Sequence, residues 1–170
     1  MSRVTALIDA NNFYASCEQS LDPSLLGRPV VVLSNNDGCI VARSAEARAL
    51  GIAMGTPYFK AKQALEAQGV VVRSSNYALY ADMSQRLMSL LESQVEELEV
   101  YSIDEAFARI SRPADGDLRP WGRRMRALAR RNLGLPIAIG LGASKGQAKL
   151  ANRLAKVEAS HAGLFDLGNC

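Results

Sequence analysis

Histidine is almost missing from this chain, and cysteine is scarce. His161 stands alone, and Cys17, Cys39 and Cys170 are odd in number with no C-x-x-C spacing. A structural zinc needs several Cys or His ligands at close spacing, and a disulfide framework needs paired cysteines, so both are excluded. Long apolar runs are also lacking; nothing approaches the roughly 20 residues that span a bilayer. The N-terminus enters a strand pattern directly, without the charged region, apolar stretch and cleavage site of a secretory leader. A cytoplasmic protein is therefore expected. Charge of one sign is not in excess: 20 Lys+Arg against 17 Asp+Glu leave +3. The one local cluster is Arg112, Arg119, Arg123, Arg124, Arg126, Arg130 and Arg131. A solvated helix face accounts for it better than a phosphate-binding surface does. No repeat, low-complexity tract or interdomain linker is visible.

What is present is ordinary for a globular protein: 170 residues, 48% hydrophobic and 22% charged. That length predicts one domain, or a domain with a small insertion. Strand patterns occur at Arg3–Asp9, Pro29–Ser34, Cys39–Ala42, Val70–Arg73, Leu98–Ile103, Ala106–Ile110, Pro136–Leu141 and Leu164–Leu167. Asn35-Asn36-Asp37-Gly38 reads as a hairpin turn. Helices are predicted over Ser44–Leu50, closed by Gly51, and from Pro57 to near Gly69. Tyr80, Met83, Leu87, Leu90, Leu91 and Val95 recur at spacings of three and four, a long helix capped by Ser75 or Asn76. Further helices run through Trp121, Met125 and Leu128, and over Ser144–Lys156.

With residues 11–76 set aside, the order is strand, long helix, strand, strand, helix, strand. This is the ferredoxin-like β-α-β-β-α-β pattern of the α+β class, an antiparallel sheet with helices on one face. Residues 11–76 form an insertion on its first crossover. The abrupt end at Asn169-Cys170, soon after a strand, suggests a fragment of something longer.

Two acidic signatures carry the chemistry. Asp9 ends the apolar run Val4-Thr5-Ala6-Leu7-Ile8, and Asp104-Glu105 follows Val100-Tyr101-Ser102-Ile103. In the expected fold these strands are neighbours, so the acids can converge. Adjacent strand residues point to opposite faces, so Asp104 and Glu105 reach one site only if the chain turns or bulges there. Three carboxyls around one point repel, and divalent cations resolve the repulsion. With scattered cations at Arg48, Lys149 and Lys156 to receive phosphate, the set suits two-metal phosphoryl transfer on a nucleoside triphosphate. Phe13, Cys17 and Leu21 supply a core face for the helix after Asp9, which turns Tyr14 elsewhere.

Ile8-Asp9-Ala10-Asn11-Asn12-Phe13-Tyr14-Ala15-Ser16-Cys17-Glu18 and Tyr101-Ser102-Ile103-Asp104-Glu105-Ala106-Phe107 resemble the two acidic motifs of Y-family translesion DNA polymerases. Val30-Val31-Val32-Leu33-Ser34-Asn35-Asn36-Asp37-Gly38-Cys39 is similar to the UmuC-type branch, the catalytic subunits of bacterial DNA polymerase V. Ser74-Ser75-Asn76-Tyr77 and Tyr80-Ala81-Asp82-Met83-Ser84 agree with the same branch. The resemblance covers essentially the whole chain. It implies a palm at 1–10 and 77–170, fingers at 11–76, and thumb and little-finger domains that this sequence does not contain.

By that resemblance Asp9, Asp104 and Glu105 bind two Mg2+ ions, for which Mn2+ can substitute, with the Ala10 carbonyl joining one of them. Tyr14, beside Phe13, corresponds to the gate against a sugar 2′-hydroxyl. Arg48 and Lys156 match the residues that grip the triphosphate, and Cys39, Val41 and Gly55 roof the templating base. Ala42 and Ala45 stand where many relatives carry a phosphate-contacting Thr and Tyr, which leaves fewer hydroxyl donors. Gly146 departs from the usual start of its helix and costs about 1 kcal/mol relative to alanine.

The activity implied is template-directed, error-prone translesion synthesis in the SOS response to DNA damage, weak or absent in the fragment alone. The implied partners are primer-template DNA, dNTP and a UmuD-type accessory subunit, with a RecA filament and sliding clamp reached through the full-length protein. Two alternatives remain. One is a non-catalytic partner- or DNA-binding fragment of such a polymerase. The other is a palm-fold nucleotide cyclase, which would want Gly-Gly where this chain has Ser102-Ile103.

Overall fold

Alternation of small and branched apolar residues makes the central strands, and caps and glycines punctuate them. The structure, a computed structural model, describes residues 2–157 and 161–169. Two compact units emerge, Met1–Asn11 with Met83–Cys170, and Asn12–Asp82.

The first unit is built on five strands: β1 (Arg3–Ala10), β5 (Glu97–Val100), β6 (Glu105–Ser111), β7 (Ile137–Gly142) and β8 (Leu164–Asp166), in the order β5-β6-β1-β7-β8. β1 pairs antiparallel with β6 and β7, and β5 with β6. That is the expected ferredoxin-like order, extended by β8 parallel to β7. Its helices are α5 (Arg119–Leu133), α6 (Lys145–Val157) and most of α4 (Tyr77–Glu92).

The helices do not all share one face. α5 lies on the face of Ile139 and its neighbour Leu164, since a Cβ on Gly122 would strike the Leu164 side chain. α6 follows the last strand of the six-element pattern and crosses back over the opposite face, where Gly140 and Gly142 admit it. A Cβ on Gly140 would fall 2.1 Å from the Asn152 backbone nitrogen. The buried Asn152 amide then donates to the carbonyls of Leu7 (3.0 Å) and Ala138 (3.1 Å), fastening α6 to both central strands. The arginines of α5 are mostly solvated, as expected, but Arg126 turns in and donates to the Ile137 carbonyl.

The second unit holds α1 (Phe13–Leu21), β2 (Val30–Leu33), β3 (Ile40–Arg43), α2 (Ala45–Ala49), α3 (Tyr58–Ala67) and β4 (Val71–Ser74). β2 is central, antiparallel to β3 and parallel to β4. Its core joins Val31, Leu33, Ile40, Ala47, Ile52, Leu65 and Val70. In the β2–β3 loop Asp37 alone takes positive φ (56°), while the Ser34 hydroxyl accepts the Gly38 and Cys39 N–H groups. The turn is thus organised by Ser34 and not by Gly38.

Leu21, expected in the core face of α1, is 64% exposed, because α1 ends there and the chain leaves through Asp22 into a 3-10 turn. The edge of this unit falls inside α4, at Asp82, rather than before that helix. Tyr77 and Tyr80 pack back on α1 and draw the first turns with them. Asn76 is the residue that caps α4, its side chain accepting the Leu79 N–H. Among the described residues no helix is long and apolar enough to cross a membrane.

Candidate active site

Asp9 and Glu105 are cross-strand partners on β1 and β6, so both side chains lie on the face that carries Leu7 and Phe107, the one α6 covers. Asp104 precedes β6 in a tight turn. The Tyr101 and Ser102 N–H groups both donate to the Glu105 carbonyl at 3.1 Å, and the Ala10 N–H donates to the Asp104 carbonyl at 2.8 Å. The chain therefore turns where two adjacent acids require it to, and the turn is tied to the end of β1. The Ser102 hydroxyl donates to Asp104 Oδ1 at 2.9 Å, which sets that carboxylate's orientation.

Asp9 is buried, and its two oxygens differ. Oδ2 accepts a hydrogen bond from the Lys156 ammonium on α6, whereas Oδ1 is buried with no partner among the described residues. Burial pushes the Asp9 carboxyl above the ordinary carboxylate range; Lys156 opposes the shift, and the charges of Asp104 and Glu105 add to it. Among the described residues no three acidic, His or Cys side chains close into a metal cage as they stand. Lys156 and Ser102 currently hold two of the three carboxylates. The donor set nonetheless suits a hard divalent cation. It offers an orphaned buried oxygen, two further carboxylates whose charge it feels, and an excess of negative charge that one ammonium does not cancel. Asp9, Asp104 and Glu105 would hold the ion, with Ala10 at the strand end beside them.

The other expected site residues lie in the second unit. Phe13 is buried, and Tyr14 is half-buried with its ring stacked on Tyr80. Arg48 is exposed in the last turn of α2, a helix capped by the Ser44 hydroxyl accepting the Ala47 N–H. Cys39 and Val41 alternate with the buried Ile40 and Ala42, so they share the opposite side of β3. Gly55, at φ 79°, donates its N–H to the Ile40 carbonyl between them, and Cys39 bridges to Pro57. Cys39 and Val41 thus share one side of β3, and Gly55 is tied by its backbone to the residue between them.

Lys156, expected on phosphate, here sits on Asp9. Other residues around the site have no site role in the sequence reading. Ser102 entered only as part of the acidic motif, with no role of its own, and Asn152 carried no sequence signal beyond polarity. Tyr80 counted as an apolar position of α4 and as part of a resembling stretch, with no site role, although its hydroxyl donates to the buried Glu18 at 2.8 Å. Spacing offered a hint, since Tyr14 and Glu18 are one helical turn apart, as are Tyr77 and Tyr80.

Residues 8–153 match the impB/mucB/samB family. The chain is 52% identical to the protein UmuC of Salmonella typhimurium over 166 residues, covering 96% of this chain and 39% of that protein. It is 38% identical to DNA polymerase IV of Corynebacterium diphtheriae, covering 92% of this chain and 35% of that one. Its fold superposes on an insertion ternary complex of Dbh DNA polymerase with a TM-score of 0.82 at 26% identity, covering 96% of this chain and 48% of the other. This chain thus spans less than two-fifths of the curated relatives it matches and about half of the solved structure. The match spans both units and includes the strand end at Asp9 and the turn at Asp104, and on that ground the chain belongs to the impB/mucB/samB family.

Proposed function

We propose that this chain is the palm and fingers of a translesion DNA polymerase, joining a dNTP to a primer 3′-hydroxyl opposite damaged template. The observation that carries the reading is Asp9: a buried carboxylate with one oxygen orphaned, cross-strand from Glu105 and tied through Ala10 to Asp104. An acid only partly compensated in that place is costly for a fold and useful for a metal. Family membership and the superposition on a polymerase complex support the same reading.

The first unit supplies the palm and the second the fingers. Divalent cations, Mg2+ by their hardness, would lower the pKa of the attacking hydroxyl and neutralise the triphosphate. The chain's own residues do the rest. Asp9, Asp104 and Glu105 supply oxygens at fixed strand ends, and the Ser102 hydroxyl orients Asp104. Lys156 neutralises Asp9 in the free protein and turns to the phosphates when nucleotide enters; its side chain, 41% exposed, is free to swing. Arg48 grips the triphosphate from α2. Tyr14, with Phe13 behind it, bars a 2′-hydroxyl, and Cys39, Val41 and Gly55 form a low roof over the templating base. Primer-template DNA, a UmuD-type accessory subunit and the bacterial cytoplasm complete the assignment.

The test is primer extension at low salt with Mg2+ and protein in excess, with Asp104→Ala as control. Extension that disappears in the variant supports the reading. Extension that survives in Asp104→Ala removes these acids from the chemistry.

A further inference from the structure

Tyr14 and Glu18 lie one turn apart on α1, and both contact Tyr80 of α4. The Tyr14 and Tyr80 rings are stacked, with centroids 4.4 Å apart and planes at 18°. Tyr77 stands edge-on to each, at 6.2 Å and 83° to Tyr14 and at 6.1 Å and 88° to Tyr80. Tyr80 is fully buried, and its hydroxyl donates to Glu18 Oε1, a carboxylate that is itself 7% exposed. A buried carboxylate without a donor is heavily penalised, so Glu18 and the Tyr80 hydroxyl need each other. Burial, reinforced by Glu18, raises the Tyr80 phenol above its ordinary pKa and keeps it a donor at neutral pH. A phenylalanine would fill the same space and leave Glu18 unsatisfied.

We propose that Tyr80, clamped by Glu18, is a positioning residue that fixes the ring of Tyr14 and so sets how strictly the site excludes ribonucleotides. This rests on the reading of Tyr14 as the sugar gate. A half-buried tyrosine on a helix surface has more than one rotamer open to it. The Tyr80 face on one side and the Tyr77 edge on another leave Tyr14 a single seat. The depth of that seat is set by the hydrogen bond to Glu18, on the same helix as the gate. A gate that swings by even an ångström admits a 2′-hydroxyl.

The test compares insertion of one deoxyribonucleotide and one ribonucleotide on primed DNA, read as the ratio of kcat/KM. Where insertion is too slow to time, the ratio of Kd values for dATP and ATP with Mg2+ serves. Tyr14→Ala sets the scale. Tyr80→Phe keeps the ring and removes only the hydrogen bond to Glu18; it relaxes discrimination by about five- to tenfold, the worth of one hydrogen bond that leaves a buried acceptor unpaired. Glu18→Gln keeps an acceptor for the hydroxyl and retains the wild-type ratio. Tyr80→Phe added to Tyr14→Ala changes nothing more, because its effect runs through Tyr14. The pair Tyr80→Phe with Glu18→Met replaces both partners by apolar groups; it guards against unfolding and relaxes the ratio equally. A wild-type ratio in folded Tyr80→Phe and in that pair, while Tyr14→Ala relaxes it, overturns the positioning role and leaves the gate standing. A further loss on top of Tyr14→Ala overturns it too. No effect of Tyr14→Ala itself removes the gate reading, and the positioning role falls with it.

Discussion

At the scale of single residues, Asp9 is a cost that the fold carries for its site. Burial and two neighbouring acids raise its pKa, and the Lys156 ammonium offsets only part of that. Asp9→Asn removes the buried charge, and Lys156, 41% exposed, returns to water. The variant should gain about 1 kcal/mol and melt about 2–4 °C higher at neutral pH, while losing turnover. Millimolar Mg2+ should raise the Tm of the wild type and not that of Asp9→Asn. A lower Tm for Asp9→Asn would show that the Lys156 pair stabilises more than burial costs. Asp104→Ala should likewise abolish turnover at an undiminished Tm. The convergence of the acids was legible because each abuts an apolar strand. The Lys156 contact was not, because 147 residues separate its partners and no local pattern encodes it.

At the scale of elements, periodicity and caps located the strands and helices, including the turn that Asp104 and Glu105 demanded. Illegible were the features that depend on what an element packs against. Asn152 in the middle of α6 looks like any solvent-facing helix residue until its amide is seen bridging β1 and β7. The start of α4 belongs with α1 because Tyr77 and Tyr80 find Tyr14, which helical spacing alone does not reveal. Gly140 is where α6 meets the sheet closely enough to deliver Lys156 to Asp9. Its missing Cβ would strike backbone atoms of Ala148 and Asn152, which cannot give way as a side chain can. Gly140→Ala should cost about 3 kcal/mol, roughly 6–12 °C in Tm, and displace Lys156. A stable, fully active Gly140→Ala would show that the helix shifts freely. At the start of α5, Asp117 accepts the Arg119 N–H and guanidinium, which hold its carboxyl down at about 2. A depressed carboxylate pKa stabilises the fold above the ordinary value and ceases to as pH falls through the folded one. Asp117→Ala should therefore melt below the wild type at pH 7, and the gap should close between the ordinary 3.8 and about 2.

At the scale of the whole molecule, the proposed metal ligands all belong to one compact unit and the proposed nucleotide-gating tyrosines to the other. The chain crosses between the units at Asn11–Asn12 and again within α4 at Asp82–Met83. Neither unit carries a large cationic field. The net charge is +3, and the clustered arginines are partly committed, Arg112 to Asp166 and Arg119 to Asp117. Affinity for DNA comes mostly from phosphate contacts, each releasing a counterion. This chain, spanning 39% of the UmuC relative, should therefore bind primed DNA in the manner of a non-specific contact. Its Kd should be about 1 μM or weaker at physiological salt, and binding should strengthen steeply as salt is lowered. Fluorescence anisotropy with a labelled primer-template, titrated at several salt concentrations, reads both quantities at once. A nanomolar complex that ignores salt would mean that a surface within these two units grips DNA by shape and base contact. The weak mode would instead show that the surfaces of these two units do not by themselves hold a duplex tightly.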